Sequence, residues 1–457
     1  MLLGMAWGCG EMIQTRMQRL RVNDGGRFLE KEDGTPFFWL GDTAWELFHK
    51  LNREEAEHYL RIRAEQGFNV VQAVALAEFE GVTTGNAYGR LPLLADSSGL
   101  PDPSRPDLAG PNGYWDHVDF VLDTAAAYGI YIALLPTWGD KFNKLWGKGP
   151  EIFSPENART YGRWLGARCK HRPNLVWVLG GDRPLQTSRH FAIVEAMAEG
   201  LSEGDGGAHL RTFHPKGAES SSHHLHDADW MDFNMIQSGH GEAAIANDLR
   251  VAADYARLPV KPTLDSEPCY EDIPIGFDAA NGYFDEADVR RAAYYAVLSG
   301  ACGHTYGHHS VWSMAEGAYA NNEMTEPGAY FLMDWKTALR RPGANQMKHV
   351  RALMETSGFA ALRPDPTLLA RNFPGSNRMV AARIEAGALV YCPNGLFAEI
   401  DLGRLGVAAV EATWFDPRSG EYTQAGTCEG DGIRRFDAPS SGRGNDWVLR
   451  LKEVPHA

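Results

Sequence analysis

The sequence offers almost nothing from which to build a disulfide framework, a metal site, a membrane span or a nucleic-acid surface. Its six cysteines (Cys9, Cys169, Cys269, Cys302, Cys392, Cys428) form no Cys-x-x-Cys pair, so neither a disulfide scaffold nor a thiolate zinc site is signalled. Free thiols in a reducing compartment are the simplest consequence. No apolar run reaches the roughly 18 residues that a membrane-spanning helix needs. The start, Met1–Gly10, is apolar but lacks a preceding positive charge and is broken by glycines, which makes a poor secretory signal. The expected location is cytoplasmic, with secretion as the alternative, and residues 1–20 read as a disordered extension. Positive charge is scarce as well: 44 Lys and Arg against 59 Asp and Glu leave a net charge of −15. That balance excludes a general nucleic-acid or anionic-membrane surface and points to a neutral or small partner.

What the sequence does have is aromatic side chains, 11% of the chain with 13 Trp. Exposed Trp and Tyr suit the apolar faces of sugars, although most aromatics fill cores. It also has two stretches of one design. Lys261-Pro-Thr-Leu-Asp-Ser-Glu-Pro-Cys-Tyr270 is an apolar strand entry that runs into carboxylates and stops at Pro268, projecting Glu267 above the sheet. Asn174–Pro184 is a buried-looking strand that ends in Gly180, Gly181 and then Asp182. Two carboxylates from different strand ends are the minimal equipment for breaking a glycosidic bond. On spacing alone the pair reads equally as capping or salt-bridged carboxylates.

Taken in order, strand-like and helix-like stretches alternate. Strands are expected over 37–45, 69–76, 130–138, 174–182, 210–215, 233–240, 261–270 and 303–312. Helices are expected over 53–66, 115–128, 155–170, 189–201, 242–258 and 285–299, with closing helices over 331–356. A short hairpin around Asn23-Asp-Gly-Gly26 precedes them, and the Gly- and Pro-rich stretch 80–113 is long enough to read as a functional loop. Eight apolar strands alternating with amphipathic helices favour a (β/α)8 TIM barrel over 21–358, its site at the strand C-termini. From 359 to 457 the texture changes to short alternating runs between turns, expected as a C-terminal antiparallel β-sandwich domain.

Strand ends therefore supply the candidates for binding a substrate. Asp42 and Trp45 could hydrogen-bond a sugar hydroxyl and stack on its ring, while Asp42 reads equally as a helix cap. Gln72 sits mid-strand and could point into the barrel layers. Trp138 is a wall candidate, and His214, Gln237, His240 and Tyr270 close their strands as groups that either meet the substrate or orient others. On the eighth strand, alternation puts His304, Tyr306 and His308 on one face, lining the mouth, with His309 on the other and Trp312 beyond. Neither this histidine cluster nor His223, His224 and His226 has His-Glu-x-x-His spacing, so no metal and no cofactor are expected.

In order and strand placement, Trp39–Trp45, Gly180–Pro184, Asp232–His240 and Leu264–Tyr270 together resemble the apiosidase-like glycoside hydrolases. Those are barrels of the retaining clan followed by a collagen-binding-type β-sandwich. The resemblance spans about Leu20 to the C-terminus. It implies Asp182 as acid/base and Glu267 as nucleophile, with release of a terminal pentofuranose, apiose above all, from a plant-derived glycoside. Arabinofuranosidase activity on the same scaffold is the alternative, as is an inactive carbohydrate-binding barrel. The partner implied is a small carbohydrate or glycoside.

Overall fold

The structure, a computed structural model, describes residues 17–244, 246–317, 331–385 and 387–454. Most of the expected N-terminal extension lies outside those residues. From Met17 the chain is packed: Gln18 Nε2 donates to Asp33 Oδ2, and its carbonyl accepts from the Tyr131 hydroxyl.

Eight parallel strands form the barrel: strand one is Trp39–Thr43, two Val70–Val74, three Tyr131–Leu135, four Leu175–Gly180, five Arg211–His214, six Asn234–Gln237, seven Thr263–Asp265 and eight Gly303–Tyr306. The ladder runs 5-4-3-2-1-8-7-6, every neighbour parallel. Strands five and six share no ladder, and the ring is joined there by Asp232 N to Arg211 O at 2.9 Å and Thr212 Oγ1 to Phe233 O at 2.6 Å. A ninth, antiparallel strand, Glu219–Ser220, adds to strand six.

Local chemistry explains where the helices begin. Arg53–Glu65 starts at Asn52, whose side chain accepts from Glu55 N while Glu55 reaches back to Asn52 N. Pro155–Cys169 combines a Ser154 cap with proline at its first position, and Glu286–Leu298 is capped by Asp285. The remaining long helices are Tyr114–Ala127, Ser188–Asp205, Asn247–Tyr255 and Pro342–Thr356. Only the short helix Ser222–Leu225 stands between strands five and six.

Three expectations change. The eighth strand stops at Tyr306, not Trp312, because His308 turns to cap a short helix, His309–Trp312, accepting from Ser310 N. The stretch 80–113 folds in part into a hairpin, Leu93–Ala95 against Pro101–Pro106. The C-terminal unit holds three strands beyond the six alternating runs read from the sequence, Arg363–Pro364, Tyr422–Glu429 and Ile433–Asp437, in sheets of six and three strands.

The C-terminal unit shares a core with the barrel. Leu389, Tyr391 and Val448 pack in one cluster with Tyr294, Val297, Met347 and Leu353 of the barrel helices, and the Tyr294 and Tyr391 rings stack at 5.0 Å. Among the described residues no helix is long and apolar enough to cross a membrane.

Candidate active site

Strand four ends in a backbone that few residues can adopt. Gly180 and Gly181 have φ of +91° and +108°, and a Cβ on them would lie 2.5 Å from His214 O and 2.9 Å from Gly139 N. Asp182 follows at φ +54°, a left-handed conformation that Asp tolerates better than most residues. Together these turns lift its carboxyl out of the ladder and into a cavity of about 900 Å³ at the strand C-termini. Glu267 enters the same cavity from the far side, just past strand seven.

The two carboxyls are shifted in opposite directions. Glu267 is buried, with His214 Nε2 2.9 Å from Oε2 and His240 Nε2 3.2 Å from Oε1. Burial pushes this carboxyl up, but the hydrogen bonds and charge of the two histidines outweigh it and bring it down to about 2. Asp182 is half-buried. Burial first, and then the negative charge of Glu267, raise its pKa against the opposing pull of Arg183, His214 and Trp146. A carboxylate held ionised thus shares a cavity with a carboxyl biased to keep its proton, and two titratable groups driven apart in this way mark an acid and a nucleophile or base.

The surroundings are aromatic. Trp45 and Trp138 pack at 5.0 Å, with the His214 ring edge-on to Trp45 at 5.3 Å. Tyr270 lies against His240 at 4.4 Å, and Trp312 closes another side in contact with Phe79. Burial and the Glu267 charge both raise the Tyr270 hydroxyl, which therefore stays protonated as a donor. Gln237 ends strand six in the cavity wall, its Oε1 without a partner in the protein.

Of the residues singled out from the sequence, Asp182, Glu267, Trp45, Trp138, His214, Gln237, His240, Tyr270 and Trp312 are brought together, His214 through its contact with Glu267. Five are not. Asp42 is fully buried, accepting from Arg63 Nε at 2.6 Å and from the Tyr59 hydroxyl at 2.5 Å. Gln72 points into the barrel, where its Nε2 donates to Ser266 O at 2.9 Å. His304 lies inside the barrel, with burial driving its imidazole down to about 3. Tyr306 donates to Glu271 Oε2 at 2.6 Å, and His308 Nε2 lies 3.0 Å from Asp272 Oδ2. The expected facing of this segment is therefore reversed, with His309 in the cavity wall, because the strand ends before His308.

Among the cavity residues not singled out from the sequence, two lie close to Asp182 or its neighbour Arg183. Glu78, past the end of strand two, is buried with Oε1 2.8 Å from Arg183 Nη2. Burial, with Asp140 and Asp182 nearby, pushes it up to about 8 against the pull of Arg183. Trp146, in the loop after strand three, places Nε1 3.4 Å from Asp182 Oδ2. Glu78 lies two residues past a strand expected to end at Leu76, so a longer view of strand ends would have found it. Nothing local marks Trp146.

Residues 23–361 match the family model described as "Apiosidase-like, catalytic domain", and residues 364–452 match "Putative collagen-binding domain of a collagenase". Among solved structures, a glycoside hydrolase family 5 protein from Bacteroides vulgatus is 33% identical, the match covering 95% of this chain and 93% of that one with a TM-score of 0.85. A second, described as a glycoside hydrolase, is also 33% identical over 96% and 98% of the two chains, with a TM-score of 0.85. A family 5 mannosidase from Rhizomucor miehei, 14% identical over 74% of this chain and 98% of its own, shares the fold with a TM-score of 0.52. None of the curated proteins matches.

Proposed function

The chain belongs to the apiosidase-like glycoside hydrolases, and from that premise we propose that it releases a terminal pentofuranose, apiose by preference, from a plant-derived glycoside by a retaining double displacement. The observation that carries the proposal is the opposite setting of Asp182 and Glu267 in one aromatic cavity. In the first step Glu267 attacks the anomeric carbon while Asp182 gives its proton to the departing oxygen. A covalent glycosyl-enzyme results. In the second step Asp182, now ionised, takes a proton from water, which displaces Glu267 and frees the sugar with its original anomeric configuration.

His214 and His240 carry the other half of the design. Each places Nε2 beside a different oxygen of Glu267, and together they favour its ionised form. Trp45 and Trp138 wall the sugar side. The test is a panel of para-nitrophenyl pentofuranosides together with apiin, following aglycone release, and an NMR reading of the first-formed anomer from an active substrate. Release of apiose with retention is the expected result. Inversion would overturn the mechanism, and turnover of arabinofuranosides alone would overturn the choice of sugar.

A further inference from the structure

We propose that the outer half of the cavity is a leaving-group subsite for a flat aromatic aglycone, with the open face of the Trp146 indole as its platform. This rests on the assignment of Asp182 as the acid. An acid gives its proton to the glycosidic oxygen, so the leaving group departs beside Asp182, where Arg183 Nη1 lies 3.0 Å from Oδ2 and Trp146 Nε1 3.4 Å from the same oxygen, and of the two only Trp146 offers an aromatic ring. A single pentose fills only part of about 900 Å³, a volume near the upper end for pockets that take drug-sized ligands.

Trp146 is also built to stay where it is. One face of its ring is covered by the Arg183 guanidinium, 4.4 Å from the ring centroid, while the residue as a whole is 54% exposed. Trp146 is among the side chains that line the cavity. The loop beneath is tied down: Asp140, buried, accepts from Gly149 N and from Lys141 Nζ, both at 2.9 Å, and Asn143 Nδ2 donates to Pro184 O at 2.8 Å. A Cβ on Gly147 would lie 2.4 Å from the Asp140 Cβ, so the loop packs as closely as a backbone can. An exposed indole held this firmly is a preorganised contact surface.

The rest of the rim decides the class of ligand. Phe277 and Leu249 line the same cavity and are 50% and 57% exposed. The two cations there are already engaged, Arg250 Nη1 with Ala218 O at 2.5 Å and Lys216 Nζ with Glu219 at 3.3 Å. A saccharide leaving group needs polar groups to replace its lost hydration. A flat aromatic ring needs an apolar surface and a stacking partner, which Trp146, Phe277 and Leu249 supply.

Isothermal titration calorimetry with the free flavone apigenin, without any sugar, reads this subsite independently of turnover. The full chain should bind apigenin, Trp146→Ala should bind it at least about tenfold more weakly, and Trp146→Phe, which keeps a ring but loses the contact to Asp182, should stay within a few-fold. Cellobiose should give no heat. No binding of apigenin, equal binding by wild type and Trp146→Ala, or binding of cellobiose in its place would each overturn the proposal. A wild-type protein that binds apigenin but hydrolyses no furanoside would sink the proposed function and leave the aromatic subsite standing.

Discussion

Asp182 shows how much backbone is committed to one carboxyl. Three successive residues with positive φ, two of them glycines without room for a Cβ, are needed to bring it out of strand four. Gly180→Ala should therefore do more than destabilise. Its methyl would meet His214 O and the Phe213 ring, displacing at once the turn that carries Asp182 and the strand that carries His214. Turnover should fall well beyond what the drop in Tm explains, which kcat/KM measured below the variant's own melting range would reveal. The division of work between the two carboxyls can be read from leaving groups. Glu267→Ala should lose nearly all turnover on every substrate, with azide restoring part of it. Asp182→Ala should keep an appreciable first step on an activated aryl furanoside but lose roughly 10²–10⁴-fold on a poor leaving group. The pH profile follows from the signs. With Glu267 lowered to about 2, the proposed nucleophile should remain ionised far into acid, so no acidic limb is expected from it above about pH 3. Asp182, raised, should supply the basic limb as it loses its proton if it is the proposed acid, and Asp182→Ala should abolish that limb. Equal losses by both variants on activated and poor substrates would mean the roles are wrongly divided.

At the level of elements, the sequence is legible wherever one face of an element is buried and an end is chemically marked. The helix Arg53–Glu65 shows both an apolar stripe and an Asn-x-x-Glu start, and strand four shows an apolar run stopped by two glycines. Tyr422–Glu429 could not be read in this way. Almost every residue in it is exposed, so as an edge strand with no buried face it carries no alternation. Asp42 was legible as a strand-end acid but not as the partner of Arg63, since that pairing depends on where the helix 21 residues on is docked. His308 reads as one more position of an alternating strand until the tertiary contact with Asp272 and the local bond from Ser310 N turn it into a cap. The loop carrying Trp146 is the extreme case, for it has no periodicity and its shape is set by the buried Asp140. That dependence can be tested. Gly147→Ala forces a methyl against Asp140 and Arg183, an overpacking that costs about 1–3 kcal/mol. Because the same shift moves Trp146 and Arg183 away from Asp182, kcat/KM on an aryl furanoside should drop while the Glu267 side of the site, read by azide rescue in the Glu267→Ala background, remains intact.

Across the whole molecule, the barrel and the C-terminal unit share one apolar cluster and a buried ion pair. Helix Glu286–Leu298 presents Arg290 to the C-terminal sheets, where Asp446 takes it from two directions, Nη2 at 2.7 Å and Nε at 3.1 Å, and where the Tyr391 hydroxyl reaches the same carboxylate at 3.2 Å. Both charges are almost fully buried, 2% and 1% exposed. A buried pair of this kind contributes little beyond well-packed apolar side chains of the same size, but removal of one partner leaves the other charge stranded. Asp446→Ala should therefore cost about 3–5 kcal/mol, visible as a fall in Tm of the full chain although Asp446 belongs to no part of the cavity. The double change Arg290→Met with Asp446→Leu should recover most of that loss, because it removes the charge as well as its partner. A chain ending at Thr356 goes further, stranding Arg290 and baring the face where Tyr294, Val297, Met347 and Leu353 pack on Leu389, Tyr391 and Val448. Such a chain should aggregate or melt at a clearly lower temperature. If it were instead a stable and fully active monomer, the C-terminal sheets would not be structural support for the barrel, and an independent binding role for them would become the better account.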